Sequence, residues 1–155
     1  MDMDVNAVLQ QAYAERGKAP SELLPLLHHI QDALGFIPSA AIPELAEELG
    51  LSRAEVHGVV TFYHHFRQTP PGRTIVQLCR AEACQAMGSE ALVAHAESSL
   101  NCRMHATTED GGISLEPVYC LGQCAVGPAG LIGNRLVARL TPERFDALLA
   151  KERAR

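Results

Sequence analysis

Apolar residues recur at helical spacing through the first part of the chain. Val5, Val8, Leu9, Ala12 and Tyr13 fall on one face of a helix over residues 5–16, because residues three and four apart lie side by side on a helix. A second helix is predicted to reach Leu34, capped by Ser21, with Pro25 confined to its first turn. Leu23, Leu26, Leu27, Ile30 and Leu34 then face inward, and Gly35 is its left-handed stop. A third helix is expected around Pro43 to Leu49, ending at Gly50. The fourth opens with a capping box, Ser52-Arg53-Ala54-Glu55, in which serine and glutamate each satisfy a free backbone donor of the other. It is predicted to run to about Phe66. The rings of Phe62, Tyr63 and Phe66 are candidates either for a docking anchor or for the chain's own core.

The period changes after Thr69-Pro70-Pro71-Gly72, a stretch that cannot continue a helix and stiffens the connection. We place a domain boundary there, between a helical segment 1–69 and a second domain 70–155. Thr74-Ile75-Val76-Gln77-Leu78 reads as a strand ending at Cys79. A helix follows near Ser89, with Leu92, Val93 and Ala96 inward. Strands over residues 103–108 and 113–119 are joined by Glu109-Asp110-Gly111-Gly112, whose Asp-Gly favours a tight turn. A further hairpin turns at Gly133-Asn134. Thr141 caps the last helix, Pro142 opens it, and Phe145, Leu148 and Leu149 face inward. This order predicts an α+β chain whose second part is a small sheet with helices packed on it.

Composition narrows the functional classes. At 155 residues and 47% apolar content the chain can bury one ordinary core, or a core and a helical appendage. A net charge of −5 argues against a nucleic-acid surface. No apolar run approaches the ~18 residues of a membrane span, and the start Met1-Asp2-Met3-Asp4 is acidic where a signal peptide would be basic. We therefore expect a cytoplasmic chain with reduced thiols and no direct membrane contact.

Five cysteines is an odd number, which excludes a full disulfide framework. Four of them form two pairs, Cys79-Arg80-Ala81-Glu82-Ala83-Cys84 and Cys120-Leu121-Gly122-Gln123-Cys124, and Cys102 is left over. Each pair falls just past a predicted strand, so the thiols are expected in neighbouring loops at one rim of the sheet. Four converging thiolates would repel one another unless a cation sat between them. Tetrahedral zinc and a [2Fe-2S] cluster both meet that need. The four-residue gap of the first pair favours the cluster, since its thiolates must straddle two irons. A disulfide is disfavoured in a reducing compartment. A helix N-terminus aimed at the site after Cys84 would favour thiolate charge.

Other chemistry is poorly supported. His28-His29 and His64-His65 are adjacent pairs whose side chains diverge on a helix, so they read as surface or packing residues. Cys102 and His105 would make half a zinc site without a second half. Ala46, Gly50 and Val56 match the layout of a helix-turn-helix, which raises an iron-sulfur transcription regulator as an alternative of another class. Its recognition helix would face DNA poorly: residues 39–60 carry Glu44, Glu47, Glu48 and Glu55 against Arg53 alone. The chain has no C-x-x-C redox pair and neither of the familiar glycine-rich nucleotide loops. The glycines at 122, 127, 130 and 133 are read as allowing tight turns beside the centre.

Both cysteine motifs, with Met87-Gly88-Ser89 and Tyr119, resemble the thioredoxin-like [2Fe-2S] ferredoxins. The likeness extends to Leu34-Gly35-Phe36-Ile37-Pro38, Gly58-Val59-Val60-Thr61-Phe62-Tyr63 and Leu140-Thr141-Pro142-Glu143-Arg144-Phe145, and so covers nearly the whole chain. The resemblance implies a thioredoxin-like domain behind the helical segment, with Cys79, Cys84, Cys120 and Cys124 binding [2Fe-2S] and no catalytic residue in this chain. The family includes a small peripheral subunit of respiratory NADH:quinone oxidoreductases and the gamma subunit of NAD-dependent, molybdenum-containing formate dehydrogenases. The Cys-Arg-Ala-Glu-Ala-Cys-Gln wording and the stretch Ala125-Val126-Gly127-Pro128-Ala129 are more similar to the formate dehydrogenase branch. That implies an electron-transfer subunit, with FMN and NAD on one partner and the molybdenum cofactor on a formate-oxidising partner.

Overall fold

Four helices carry the first part of the chain, and glycines stop the second and third. The computed structural model describes residues 5–153, so the acidic start at residues 1–4 lies outside the described residues. Helices α1 (Val5–Arg16), α2 (Leu23–Leu34), α3 (Ala41–Leu49) and α4 (Arg53–Phe62) belong to a compact unit, Met1–Pro70. Gly35 and Gly50 close α2 and α3 in the left-handed conformation, at φ 83° and 65°, where a side chain would be strained. The capping box of α4 is complete in both directions. The core gathers Leu9, Leu26, Leu27, Ile30, Leu45 and Val56, all fully buried. Ala46 joins the same cluster, which makes α3 and α4 an ordinary packed pair.

Two expectations need correcting here. Ser21 makes no capping bond. It lies inside a 3₁₀ turn, Pro20–Glu22, that leads into α2. Helix α4 ends at Phe62, short of Phe66, because a buried side chain draws the following turn away from the helix axis. Gln31 donates to the carbonyl of His65 at 2.8 Å and accepts from the amide of Arg67 at 2.7 Å. Phe66 is thereby buried, whereas Phe62 is 74% exposed.

The second unit, Pro71–Arg155, is built on a five-stranded mixed sheet. Its elements are β1 (Thr74–Cys79), α5 (Glu82–Ala86), α6 (Ser89–Leu100), β2 (Ala106–Thr107), β3 (Ile113–Val118), β4 (Gly130–Ile132), β5 (Arg135–Val137) and α7 (Pro142–Arg153). Spatial order is β2-β3-β1-β4-β5, with β1 parallel to β3 and the other pairs antiparallel. Val76, Leu78 and Leu115 of the central strands pack with Leu92, Val93 and Ala96 of α6 and Phe145 of α7. The amide of Arg144 donates to Thr141 Oγ1 at 3.3 Å, as a cap at Thr141 requires. Strand β2 is only two residues long, much shorter than 103–108, because the chain before it turns at His105 with φ 64°. The helix after Cys84 is interrupted: α5 already contains Cys84, and Gly88 at φ 92° separates it from α6.

Strand direction decides where the cysteines go. Parallel pairing sets Cys79 opposite Val118, so β1 and β3 finish at the same rim. Strand β4 runs the other way and starts at that rim, with Gly130 opposite Leu78. The chain from Cys120 to Ala129 therefore loops over the end of β1.

Candidate metal centre

Cys79 is the last residue of β1, and its amide donates to the carbonyl of Ala129 at 2.9 Å. Arg80 is held by its amide to the carbonyl of Val118 at 2.8 Å and by a two-pronged bond from its guanidinium to Glu90 at 3.0 and 2.9 Å. Gln85 donates to the carbonyl of Arg80 at 2.9 Å. These bonds pin the first cysteine loop from three sides. Cys79 and Cys84 are both buried, beside Ala129, Ala81, Val118 and Leu121. In the second loop Cys120 has φ 81°, and the Gly122 amide donates to its sulfur at 3.4 Å. Cys124 opens a short 3₁₀ turn, and its sulfur lies 3.6 Å from that of Cys120. Both of these cysteines are exposed, and all five in the chain are free thiols.

The loops meet at the Cys79 sulfur. Burial alone would push this thiol up, but the amides of Ala81 and Cys120, the Cys84 thiol and the Leu121 amide together hold it below its ordinary value. Two of those amides come from the second loop, so the fold gives Cys79 thiolate donors from both. Cys84 is pushed up, first by burial and then by its bond to Cys79. Cys124 is pushed up by its bond to Cys120 and by the nearby charge. One sulfur is prepared to ionise and its neighbours resist, as expected of crowded thiols without a cation.

This donor set fits a soft metal. Four sulfurs share one rim, with amides already directed at Cys79, and no charged side chain is needed to complete it. Among the described residues no group of three or more His, Cys, Asp or Glu side chains is drawn together tightly enough to hold one metal ion. The sulfurs stand instead as two pairs, Cys79 with Cys84 and Cys120 with Cys124.

A family model for the thioredoxin-like [2Fe-2S] ferredoxins matches residues 9–153. The chain belongs to that family. It is similar to an NADH-quinone oxidoreductase subunit of Rhizobium meliloti (strain 1021), with 36% identity over 98% of this chain and 90% of the relative. An NADH-quinone oxidoreductase subunit of Escherichia coli (strain K12) is also 36% identical, over 79% of this chain and 74% of its own length. Among solved structures, an air-oxidized NAD+-reducing [NiFe]-hydrogenase aligns with a TM-score of 0.71 and 30% identity. That match covers 90% of this chain and 24% of the hydrogenase chain.

The ferredoxin's other candidate residues behave as packing or surface groups. Cys102 is buried in the sheet core, where burial pushes its thiol up, and His105 pairs with Glu116 at 3.1 Å. His28 and His65, from different elements, bring their rings to 5.3 Å, a contact that neither adjacent pair suggests. Sequence reasoning missed the backbone donors at Ala81, Cys120 and Leu121, since amide direction has no signature in residue type. It also misread two glycines. Gly122 and Gly133 do sit at positive φ, but Gly127 and Gly130 do not: space forbids a side chain on Gly130 and is tight at Gly127. A methyl group on Gly127 would come within 3.2 Å of the Cys84 sulfur, and one on Gly130 within 2.7 Å of the Gln77 carbonyl oxygen.

Proposed function

We propose that this ferredoxin is the electron-transfer subunit of an NAD-linked oxidoreductase complex, with Cys79, Cys84, Cys120 and Cys124 holding one [2Fe-2S] cluster. The observation that carries this reading is the meeting of the two cysteine loops at the Cys79 sulfur. Two thiol pairs suit a two-iron unit better than a single ion, because each pair can serve one iron. When bound, such a cluster stores and releases single electrons. Ala81, Cys120 and Leu121 donate to Cys79 and favour its thiolate, the Arg80–Glu90 pair fixes the loop, and buried Cys84 keeps water from that side. The exposed pair gives electrons a route to a partner. In this reading residues 1–69 form a helical domain and residues 70–155 the cluster-bearing domain, and the protein works in the cytoplasm.

The complex we propose is an NAD-dependent formate dehydrogenase, with FMN and NAD on one partner and the molybdenum cofactor on a formate-oxidising partner. Support for that branch is the wording of the first cysteine motif and of residues 125–129. The competing reading, a component of an NADH:quinone oxidoreductase, is favoured by the 36% identity to the Rhizobium relative over 98% of this chain. Affinity purification of the tagged chain from its native host separates the two. Co-purification of a molybdenum protein supports the formate reading, whereas a membrane-bound quinone-reducing arm would replace it. Anaerobically prepared protein should be brown, with iron and acid-labile sulfide in about equal amounts. A colourless protein holding zinc without sulfide would end both readings.

A further inference from the structure

Strand β5 lies at the edge of the sheet, and a cavity of about 400 Å³ runs beside it. Its apolar side is made by Val126, Leu136 and Leu148, and its polar side by Arg135, Arg139 and Arg144. Among the described residues no carboxylate lines it, in a chain whose net charge is −5. The arginines have different commitments. Arg144 is spent on the carbonyls of Ala138 and Arg139, at 2.7 and 3.3 Å, and so shapes the wall. Arg135 stands 3.7 Å from Glu152, a loose pairing. Arg139 has no ion pair among the described residues, and its backbone sits at φ 52°, a conformation that costs a non-glycine residue about 1 kcal/mol or more. Leu136 is 45% exposed at the mouth.

The groove is continuous with the cysteine loop. The Arg139 amide donates to the carbonyl of Val126 at 2.8 Å, and that of Leu140 to Pro128 at 2.9 Å. Val126 closes the same short turn that begins at exposed Cys124. A molecule seated in the groove therefore touches Val126, two residues along the chain from exposed Cys124.

We propose that this groove docks an acidic segment of the protein that exchanges electrons with this chain. Carboxylates of that segment pair with Arg139 and Arg135, and one of its apolar side chains rests on Val126, Leu136 and Leu148. The proposal rests on the electron-transfer reading and names the chemistry of the partner. Arginine beside exposed apolar surface is the usual make-up of an interface anchor, and opposite charge would steer the approach. An apolar floor contributes little to a polyphosphate.

The probe is a dye-labelled peptide of alternating glutamate and leucine, titrated into the iron-loaded full chain by fluorescence anisotropy. Binding is expected, weakening with added salt. Arg139→Glu and, separately, Leu136→Glu are each expected to weaken it roughly tenfold while iron content and visible absorbance stay unchanged. Arg53→Glu in α4 makes the same charge change and is expected to leave binding intact. Equal binding by Arg139→Glu, equal loss in Arg53→Glu, or preference for single-stranded DNA over the peptide would each overturn the proposal. In parallel, the tagged chain is purified with its native partners. Partners kept by wild type and lost by Arg139→Glu support the groove, and partners kept by both refute it while the electron-transfer reading stands. If wild type brings down no NAD-linked protein, the electron-transfer reading fails, and the peptide titration alone decides the groove.

Discussion

Leu9, Leu26, Leu27, Ile30, Leu45 and Val56 fill the core of residues 1–70, and helical periodicity marks the first four as inward positions. In residues 71–155 one end of the structure is closed differently. Cys79 and Cys84 are buried beside Ala129, and the groups that complete their surroundings are loop amides and Gly127, whose Cβ position lies 3.2 Å from the Cys84 sulfur. The helical unit is thus specified by side chains that prefer any apolar neighbour. The rim of the sheet is specified by backbone geometry that tolerates few alternatives. Substitutions should therefore be absorbed in the first unit and reach the sulfurs in the second.

Cysteine replacement has the largest expected effect. Cys79→Ser and Cys84→Ser remove buried sulfurs that sit among fixed donors, and nearly all iron and sulfide should be lost. Cys120→Ser and Cys124→Ser change exposed positions where water can serve as a ligand, so part of the iron should remain with altered absorbance. Cys102→Ser should leave iron content unchanged. Iron retained in Cys79→Ser and lost in Cys102→Ser would reverse the assignment.

Core truncation tests whether the two units fail separately. Phe145→Ala removes a fully buried ring from the sheet unit, at a cost of about 3–5 kcal/mol. Ile30→Ala removes a fully buried side chain from the helical unit, at about 2–5 kcal/mol. Calorimetry followed by iron analysis at growth temperature should find iron falling in the first variant and preserved in the second. Equal iron loss in both would show that the centre depends on the helices.

Two glycine-to-alanine changes give a finer version. Gly58 lies inside α4 with open space around its Cβ position, so alanine should stabilise by about 0.5–1 kcal/mol through helix propensity. Gly127 has the Cys84 sulfur at 3.2 Å and the Met87 sulfur at 3.3 Å from the same position. Met87 is half-exposed and can yield, but Cys84 is held, so Gly127→Ala should cost about 1–3 kcal/mol and shift the visible spectrum. An unchanged spectrum would show that the cysteine loop gives way as readily as a helix surface does.

The same contrast explains what the sequence reveals. Apolar spacing, the Ser52–Glu55 box and the glycine stops are local signals, and α1 to α4 follow from them. The end of α4 does not, because it depends on Gln31, far back in the chain, meeting the backbone at His65 and Arg67. Ser21 looks like a cap because its residue type suits one, while Pro20 has already begun a tighter turn. The cysteine spacing picks out the four thiols that the strand directions bring to one rim. Their unequal exposure follows from β1 lying in the middle of the sheet and the second loop lying over its end, a consequence of strand order that no local pattern records.

The smallest effect is expected at Tyr13, where the helical unit carries a polar misfit. Tyr13 is 5% exposed, and its hydroxyl has no hydrogen-bond partner among the described residues. Burial, followed by the nearby carboxylates of Glu44 and Glu48, pushes its ionisation up to about 12. An unpartnered buried hydroxyl contributes no bond and carries a desolvation cost, so Tyr13→Phe should be neutral or stabilising by up to about 1 kcal/mol. Lys18 lies 5.0 Å from the ring centre, and that contact survives in phenylalanine. The sign of the pH dependence follows from the raised value. The neutral phenol's advantage in the folded state is fully present below the unfolded value near 10 and is lost as pH rises through about 12. Denaturant melts across that window should show wild type losing stability faster than Tyr13→Phe. If Tyr13→Phe is instead destabilised by ~1 kcal/mol or more at neutral pH, the hydroxyl has a partner, and the helical core is less tolerant than the rim of the sheet.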